Sequence, residues 1–344
     1  MNTIQSAACN EMVFRALSTA ASQLIPAGSS CWQFTLRNGA PHVITAKTDG
    51  DWLFLEANYP DEAQRSEPLW DTLARNGSLA GLAKIVMDSD GRLRLRAELP
   101  LVEDADLAAR MLEACGGFAS VWSPDERNTT GDALRREEVE ALDLKHLCTE
   151  AGWVFTERGG GRLAVELEVP DCFYQGILIP LQRGAGVTCE LAAIEGDSED
   201  SRRAIAGLLL AASGVVRMVR ATMSPDQTLP VAQLEAVFGT APSPSEISSA
   251  LESLSVGCSL CGEELKTLQA PTVAQRYLSL RRWEANPARR RNERTVTRPQ
   301  PCDCVGTSRA GQDDSNAPGQ RHGRSPHAAV GSPAREQSHG RRAV

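Results

Sequence analysis

The 344-residue chain is poor in histidine, has no apolar run long enough to cross a bilayer, and contains no Leu, Ile, Met, Phe, Tyr or Trp after Trp283. Each absence excludes something. Only His42 and His146 precede the C-terminal stretch, so a histidine-based nucleophilic triad or a zinc catalytic centre lacks its parts, and both read as exposed structural residues. The longest apolar run, Ala204 to Val216, is too short for a membrane span and is flanked by Arg202, Arg203, Arg217 and Arg220; it reads as a buried helix. The start, "MNTIQSAACNEMVF", has no basic stretch followed by an apolar one, so no secretion signal is expected and the expected location is the cytoplasm. The 10 cysteines are then expected as reduced thiols. A basic surface is missing too. The net charge is −8; residues 286–344 carry +6, which leaves −14 on the rest, a body that repels nucleic acid.

What is present is an alternation of helical and strand-like patterns. A helix over residues 6–25 is expected to stop at Pro26 and Gly28. "CWQFTLR", "HVITAKT" and "DWLFLEA" follow as strands, the last two joined at Asp49-Gly50, and "PLWDTLARNG" reads as a short helix. "LAKIVMDSDGRLRLRAELPLV" is a second hairpin turning at Asp90-Gly91, with Leu93, Leu95, Ala97 and Leu99 on one face. A helix beginning near Asp104 closes this unit.

A second unit repeats the logic. After a helix at 133–151, "WVFTER", "RLAVELEV", "CFYQGILIPL" and "GVTCELAAI" are strands, and "EGDSED" caps a helix over 201–222. Trp153-x-Phe155-Thr156-x-Arg158 matches Trp32-x-Phe34-Thr35-x-Arg37 at an offset of 121 residues, and duplication is the expected cause. Both tryptophans are then expected on the first strand of their sheets. "VAQLEAVFGT" reads as a strand or a helical turn, and Ser243, Pro244 and Glu246 form a capping box. The expected fold is α+β: two tandem units of antiparallel sheet flanked by helices, at 1–122 and 132–255, joined by a polar linker at 123–131. A helical extension at 256–284 follows, then an Arg/Pro/Gly/Ser-rich tail at 285–344, read as disordered or as a shifted reading frame.

Chemical signals are sparse. Cys258-Ser-Leu-Cys261 is the sharpest: half a zinc site, a redox pair, or two small residues on a helix, the last being favoured. Cys302 and Cys304 have the wrong spacing to complete a metal site. Gly159-Gly160-Gly161 leads into a strand and is a hairpin turn, not a phosphate cradle. Glu98 and Glu190 occupy matching strand ends and are expected at solvated edges. Arg202, Arg203, Arg217 and Arg220 fall on the polar side of one expected helix and are candidates to grip an acidic partner, beside their ordinary role at helix ends.

The order helix, three strands, short helix, two strands, helix resembles the type III secretion chaperone-like fold and the YbjN family that shares it. The stretches that carry the resemblance are Trp32 to Arg37, "DGDWLFLEA", "DGRLRLRAELPL" and the acidic-capped helix after it, then "GRLAVELEV", "CELAAIEGDSED" and "AGLLLAASGVVRMVRA". It covers about residues 5–255. The second unit departs from it, lacking an evident short helix between strands. The resemblance implies a non-enzymatic, chaperone- or adaptor/regulator-like module that holds a partner polypeptide through sheet edges and helix faces. No cofactor, metal, nucleic acid or membrane is expected, and the two units are expected to form an intramolecular pseudo-dimer or a homodimer. The competing expectations are a metal-binding or redox protein using Cys258 and Cys261, and a structural domain of a larger assembly.

Overall fold

The computed structural model describes residues 3–281 apart from 37–41, 80, 102–106, 123–141, 171, 182–183, 196–197, 225–228 and 240–241. All of these belong to one compact unit. The expected linker and tail lie outside the described residues, as do Cys302 and Cys304.

The first half begins with α1 (Thr3–Ala20) and continues as a meander of β1 (Ala21–Gly28), β2 (Cys31–Leu36), β3 (Val43–Asp49) and β4 (Trp52–Asn58). Two short helices, α2 (Asp61–Ser66) and α3 (Leu69–Asn76), lead to β5 (Lys84–Met87), β6 (Leu93–Pro100) and the closing helix α4 (Leu107–Trp122). The strands form an antiparallel sheet, here sheet A, in the order β1-β2-β3-β4-β6-β5. Gly50 and Gly91, with φ of 60° and 73°, supply the left-handed residues of the β3–β4 and β5–β6 turns.

The second half opens with α5 (Leu144–Glu150), then β7 (Phe155–Arg158), β8 (Arg162–Val169), β9 (Cys172–Pro180) and β10 (Ala185–Ala193). Next come the central helix α6 (Glu199–Val215), β11 (Arg220–Ser224), β12 (Val231–Phe238), α7 (Pro244–Leu268) and α8 (Pro271–Arg281). Sheet B has the order β11-β12-β10-β9-β8-β7. Each half is therefore a helix, a four-strand meander, a helical connection, an edge strand, a strand inserted beside the meander, and a closing helix.

This is a tandem repeat, but not in the expected register. Trp32 lies on β2, whereas Trp153 precedes β7, the first strand of sheet B. The Trp-x-Phe-Thr match therefore pairs strands that are not equivalent. The first meander is also one strand longer than expected, because Ala21–Gly28 is a strand and not the end of a helix. Its Pro26 is tolerated because β1 is an edge, where one ladder donor is dispensable. In the second half, α6 occupies the place of the α2–α3 pair, so the helix that the sequence appeared to lack is the long one. That helix ends at Val215, short of 222, and "VAQLEAVF" is strand β12. The capping box at Ser243 and Glu246 forms as expected, but α7 then runs unbroken across the expected boundary at 255.

One face of sheet A, with Phe34, Ile44, Leu55, Leu95 and Leu99, is buried in a core shared with Leu17 of α1 and Met111 and Phe118 of α4. On sheet B, Leu163, Val165, Leu178, Val187 and Leu234 are buried together with Ile247, Leu251 and Leu254 of α7. Helix α6 packs on α7 and α8 and also reaches β5 and α3 of the first half. Its buried run Ala204–Leu210 completes one continuous core.

Candidate functional site: the joint between the halves and the open edge

The four candidate arginines are placed around the joint between the halves. Arg202 lies over the Trp70 ring at 5.8 Å, and Arg217 over Trp52 and Phe54 at 5.2 and 5.7 Å. Arg203 is half-buried on α6. Arg217 and Arg220 are not on that helix. Arg220 begins β11 and is buried, with its Nε donating to Glu235 on β12 and its Nη1 donating to the carbonyls of Leu79, Gly81 and Ala83 at 2.8, 3.3 and 3.0 Å. Those carbonyls belong to the loop before β5, in the other half.

The same arrangement occurs in reverse. Lys84 begins β5, its Nζ lies 2.7 Å from Glu98 Oε2 on β6, and it donates to the carbonyls of Val216 and Val219 at 2.7 and 3.2 Å, in the loop before β11. Lys84 and Glu98 are 1% and 2% exposed, so Glu98 is not at a solvated edge. Glu235 plays the same part for Arg220, although in strand register it matches Arg96 rather than Glu98; Glu190 lies on β10. Burial pushes the Lys84 ammonium below its ordinary value, and Glu98 opposes that shift. Glu98 also accepts from the Met218 backbone at 2.7 Å. Met218 has φ of 60°, an unfavourable conformation for a side chain of this size, which the hydrogen bond to Glu98 helps to hold.

Two further features match between the halves, one within each half and one across the joint. Ile85 N donates to Asn76 Oδ1 at 2.7 Å, and its counterpart Ala221 N donates to Ser213 Oγ at 2.8 Å. A Cβ on Gly77 would lie 3.2 Å from Thr222 Cβ, and one on Gly214 would lie 3.2 Å from the Met87 carbonyl and 3.6 Å from Val86 Cβ. Thr222 and Val86 are the third residues of β11 and β5. Each half therefore sets the end of its connecting helix against the other half's edge strand, the relation found across a two-fold interface. Asn76 Nδ2 bridges both halves, donating to the carbonyls of Ile85 and Ala221 at 3.2 and 3.0 Å. Arg110 of α4 is also paired with Glu246 of α7.

The outer edges differ. In sheet A, β1 pairs along β2 from Gly28↔Cys31 to Ala21↔Leu36. In sheet B, β7 pairs with residues 162–165 of β8, and, among the described residues, 166–169 have a strand neighbour on the β9 side alone. Beside this gap is a cleft of 340 Å³ lined by Gly152, Trp153, Val154, Phe155, Thr156, Ala164 and Glu166. Val154 is 89% exposed. Trp153 is half-buried and donates its Nε1–H to Ser248 Oγ on α7 at 3.1 Å. Gly159–Gly161 forms the turn between β7 and β8.

The remaining candidates fall elsewhere. His42 is exposed and stacked on Trp122 at 4.2 Å, and His146 is exposed on α5 beside Glu150. Cys258 and Cys261 are buried on α7. Among the described residues, no group of three or more His, Cys, Asp or Glu is placed to hold a metal ion, and no helix is long and apolar enough to cross a membrane. No protein-family model matches the chain, and no curated protein sequence matches it.

Proposed function

We propose that the chain is a non-enzymatic protein-binding module, chaperone- or adaptor-like, built as an intramolecular pseudo-dimer, which holds an extended partner segment along the open edge of sheet B. The observation that carries this reading is the unpaired stretch 166–169 of β8 beside the Trp153–Phe155 cleft. A sheet edge offers a row of backbone donors and acceptors to any extended chain, and neighbouring pockets take its side chains. The candidate arginines favour this edge over the α6 face, since Arg220 is enclosed in the joint and Arg202 and Arg217 cover aromatic rings of the first half. The reading agrees with what the secretion chaperone-like and YbjN-like resemblance implies.

The test places a photo-crosslinking residue at Val154, near the open edge, and in a second protein at Ile25 on β1, which is also exposed. The expected result is polypeptide captured at 154 and not at 25, with amides 166–169 slowed in hydrogen exchange once the captured peptide is added back. Equal capture at both positions, or unchanged exchange along 166–169, would sink the proposal.

A further inference from the structure

The favoured reading of Cys258 and Cys261 is two small residues on a helix, and the alternative pairs them with each other across one helical turn. The structure gives Cys258 a different neighbour. Cys189, on β10, faces α7 and is fully buried, and its Sγ lies 3.4 Å from Cys258 Sγ. The sulfurs meet because α7 lies unusually close to sheet B. A Cβ at Gly257 would be 2.6 Å from Leu234 Cδ1, and one at Gly262 would be 2.0 Å from the Tyr174 hydroxyl. The run Gly257-Cys258-x-x-Cys261-Gly262 is thus a strip of small residues on which the helix rests.

We propose that Cys189 and Cys258 form a redox-responsive pair, which closes into a disulfide on two-electron oxidation by a peroxide and ties α7 to β10. A disulfide needs the sulfurs about 2.05 Å apart, so they must close by about 1.4 Å, within reach of side-chain rotation. The chemistry balances in two steps. Hydrogen peroxide oxidises one thiol to a sulfenic acid and leaves as water; the second thiol then displaces the sulfenic oxygen as a second water and forms the S–S bond. The bond would close a loop spanning 69 residues of sequence, from β10 to the middle of α7. It would restrict the unfolded chain and raise stability.

Access sets the rate. Both thiols are enclosed, and their hydrogen bond together with burial keeps the Cys189 proton in place well above the ordinary range. Oxidation therefore proceeds from states in which α7 has lifted from the sheet, and the bond records that opening. The exposed Cys172 at the start of β9 is the competing target. The proposal does not depend on what the chain binds.

The test treats full-length, reduced protein with hydrogen peroxide, alkylates the remaining thiols and maps the peptides by mass. The expected product is a Cys189–Cys258 linked pair about 2 Da lighter than its reduced peptides. A raised thermal midpoint that dithiothreitol reverses should accompany it. Cys261→Ala should behave like the parent, whereas Cys189→Ala should show neither the link nor the rise. A Cys258–Cys261 link, or oxidation confined to Cys172 with both buried thiols intact, would overturn the proposal.

Discussion

The two halves solve the same joint with different cations. At the first position of the edge strand, the first half has Lys84 and the second Arg220; each is paired with a glutamate on the neighbouring inner strand and each donates to loop carbonyls of the other half. The lysine is a point charge that fills a small carbonyl cage, while the arginine divides its fork, turning Nη1 to the loop carbonyls and Nε to Glu235. The outer edges diverge further, since β1 has eight residues and β7 has four. The inner surfaces must fit one another and so remain matched, whereas nothing inside the chain holds the outer edges to a common design.

The largest effect should come from unbalancing the joint. Lys84→Met leaves Glu98 buried without its counter-charge and should cost about 3–5 kcal/mol in urea denaturation. Adding Glu98→Leu should recover most of that loss; no recovery would mean that the pair does more than neutralise itself. The tryptophans come next. Trp32, 6% exposed, should cost about 3–5 kcal/mol as Trp32→Ala, while half-buried Trp153 should cost about 1–2 kcal/mol. Equal losses would restore the equivalence that the motif suggested. Arg220→Lys should cost about 2 kcal/mol, because one ammonium cannot satisfy all three carbonyls and Glu235; a neutral result would make the two cations interchangeable.

The smallest effect compares the closing helices. Burial raises the thiols of Cys115 on α4 and Cys261 on α7 from 9.0 to about 12. Above pH 9 the unfolded chain loses these protons while the folded chain keeps them, so stability falls as pH rises from 9 toward 12. Between pH 9 and 10 each thiol should contribute about 1 kcal/mol of that fall. Cys115→Ala and Cys261→Ala should flatten the stability profile by similar amounts, and a steeper profile in either would reverse the assigned direction.

Much of the sheet architecture was legible in the sequence, because alternation such as Leu93, Leu95, Ala97, Leu99 depends on neighbours two residues apart. Strand β1 was not. Its burial is low and irregular, with Ile25 59% exposed, so it lacks the period-two signal of a half-buried strand. The joint was hidden for a different reason. In "DGRLRLRAELPL" Glu98 falls on the polar face, and only the arrival of Val216 to Val219 from more than a hundred residues away makes that position interior. The Cys258-x-x-Cys261 spacing fits two small residues on a helix, as found, but carries no hint of Cys189, whose sulfur reaches Cys258 from strand β10. A closer signal was available in the pairs Asn76-Gly77 and Ser213-Gly214, each a polar residue and a glycine shortly before an edge strand that opens with a cation.

Asn76 has a consequence of its own. In a homodimer every substitution is made twice, so a residue near the symmetry axis must suit both copies of itself. Here one gene encodes both sides, and only one side carries the bridging amide; the other has Ser213. A tethered pair is free to specialise its halves separately, as the eight-residue edge strand β1 and the four-residue edge strand β7 have done.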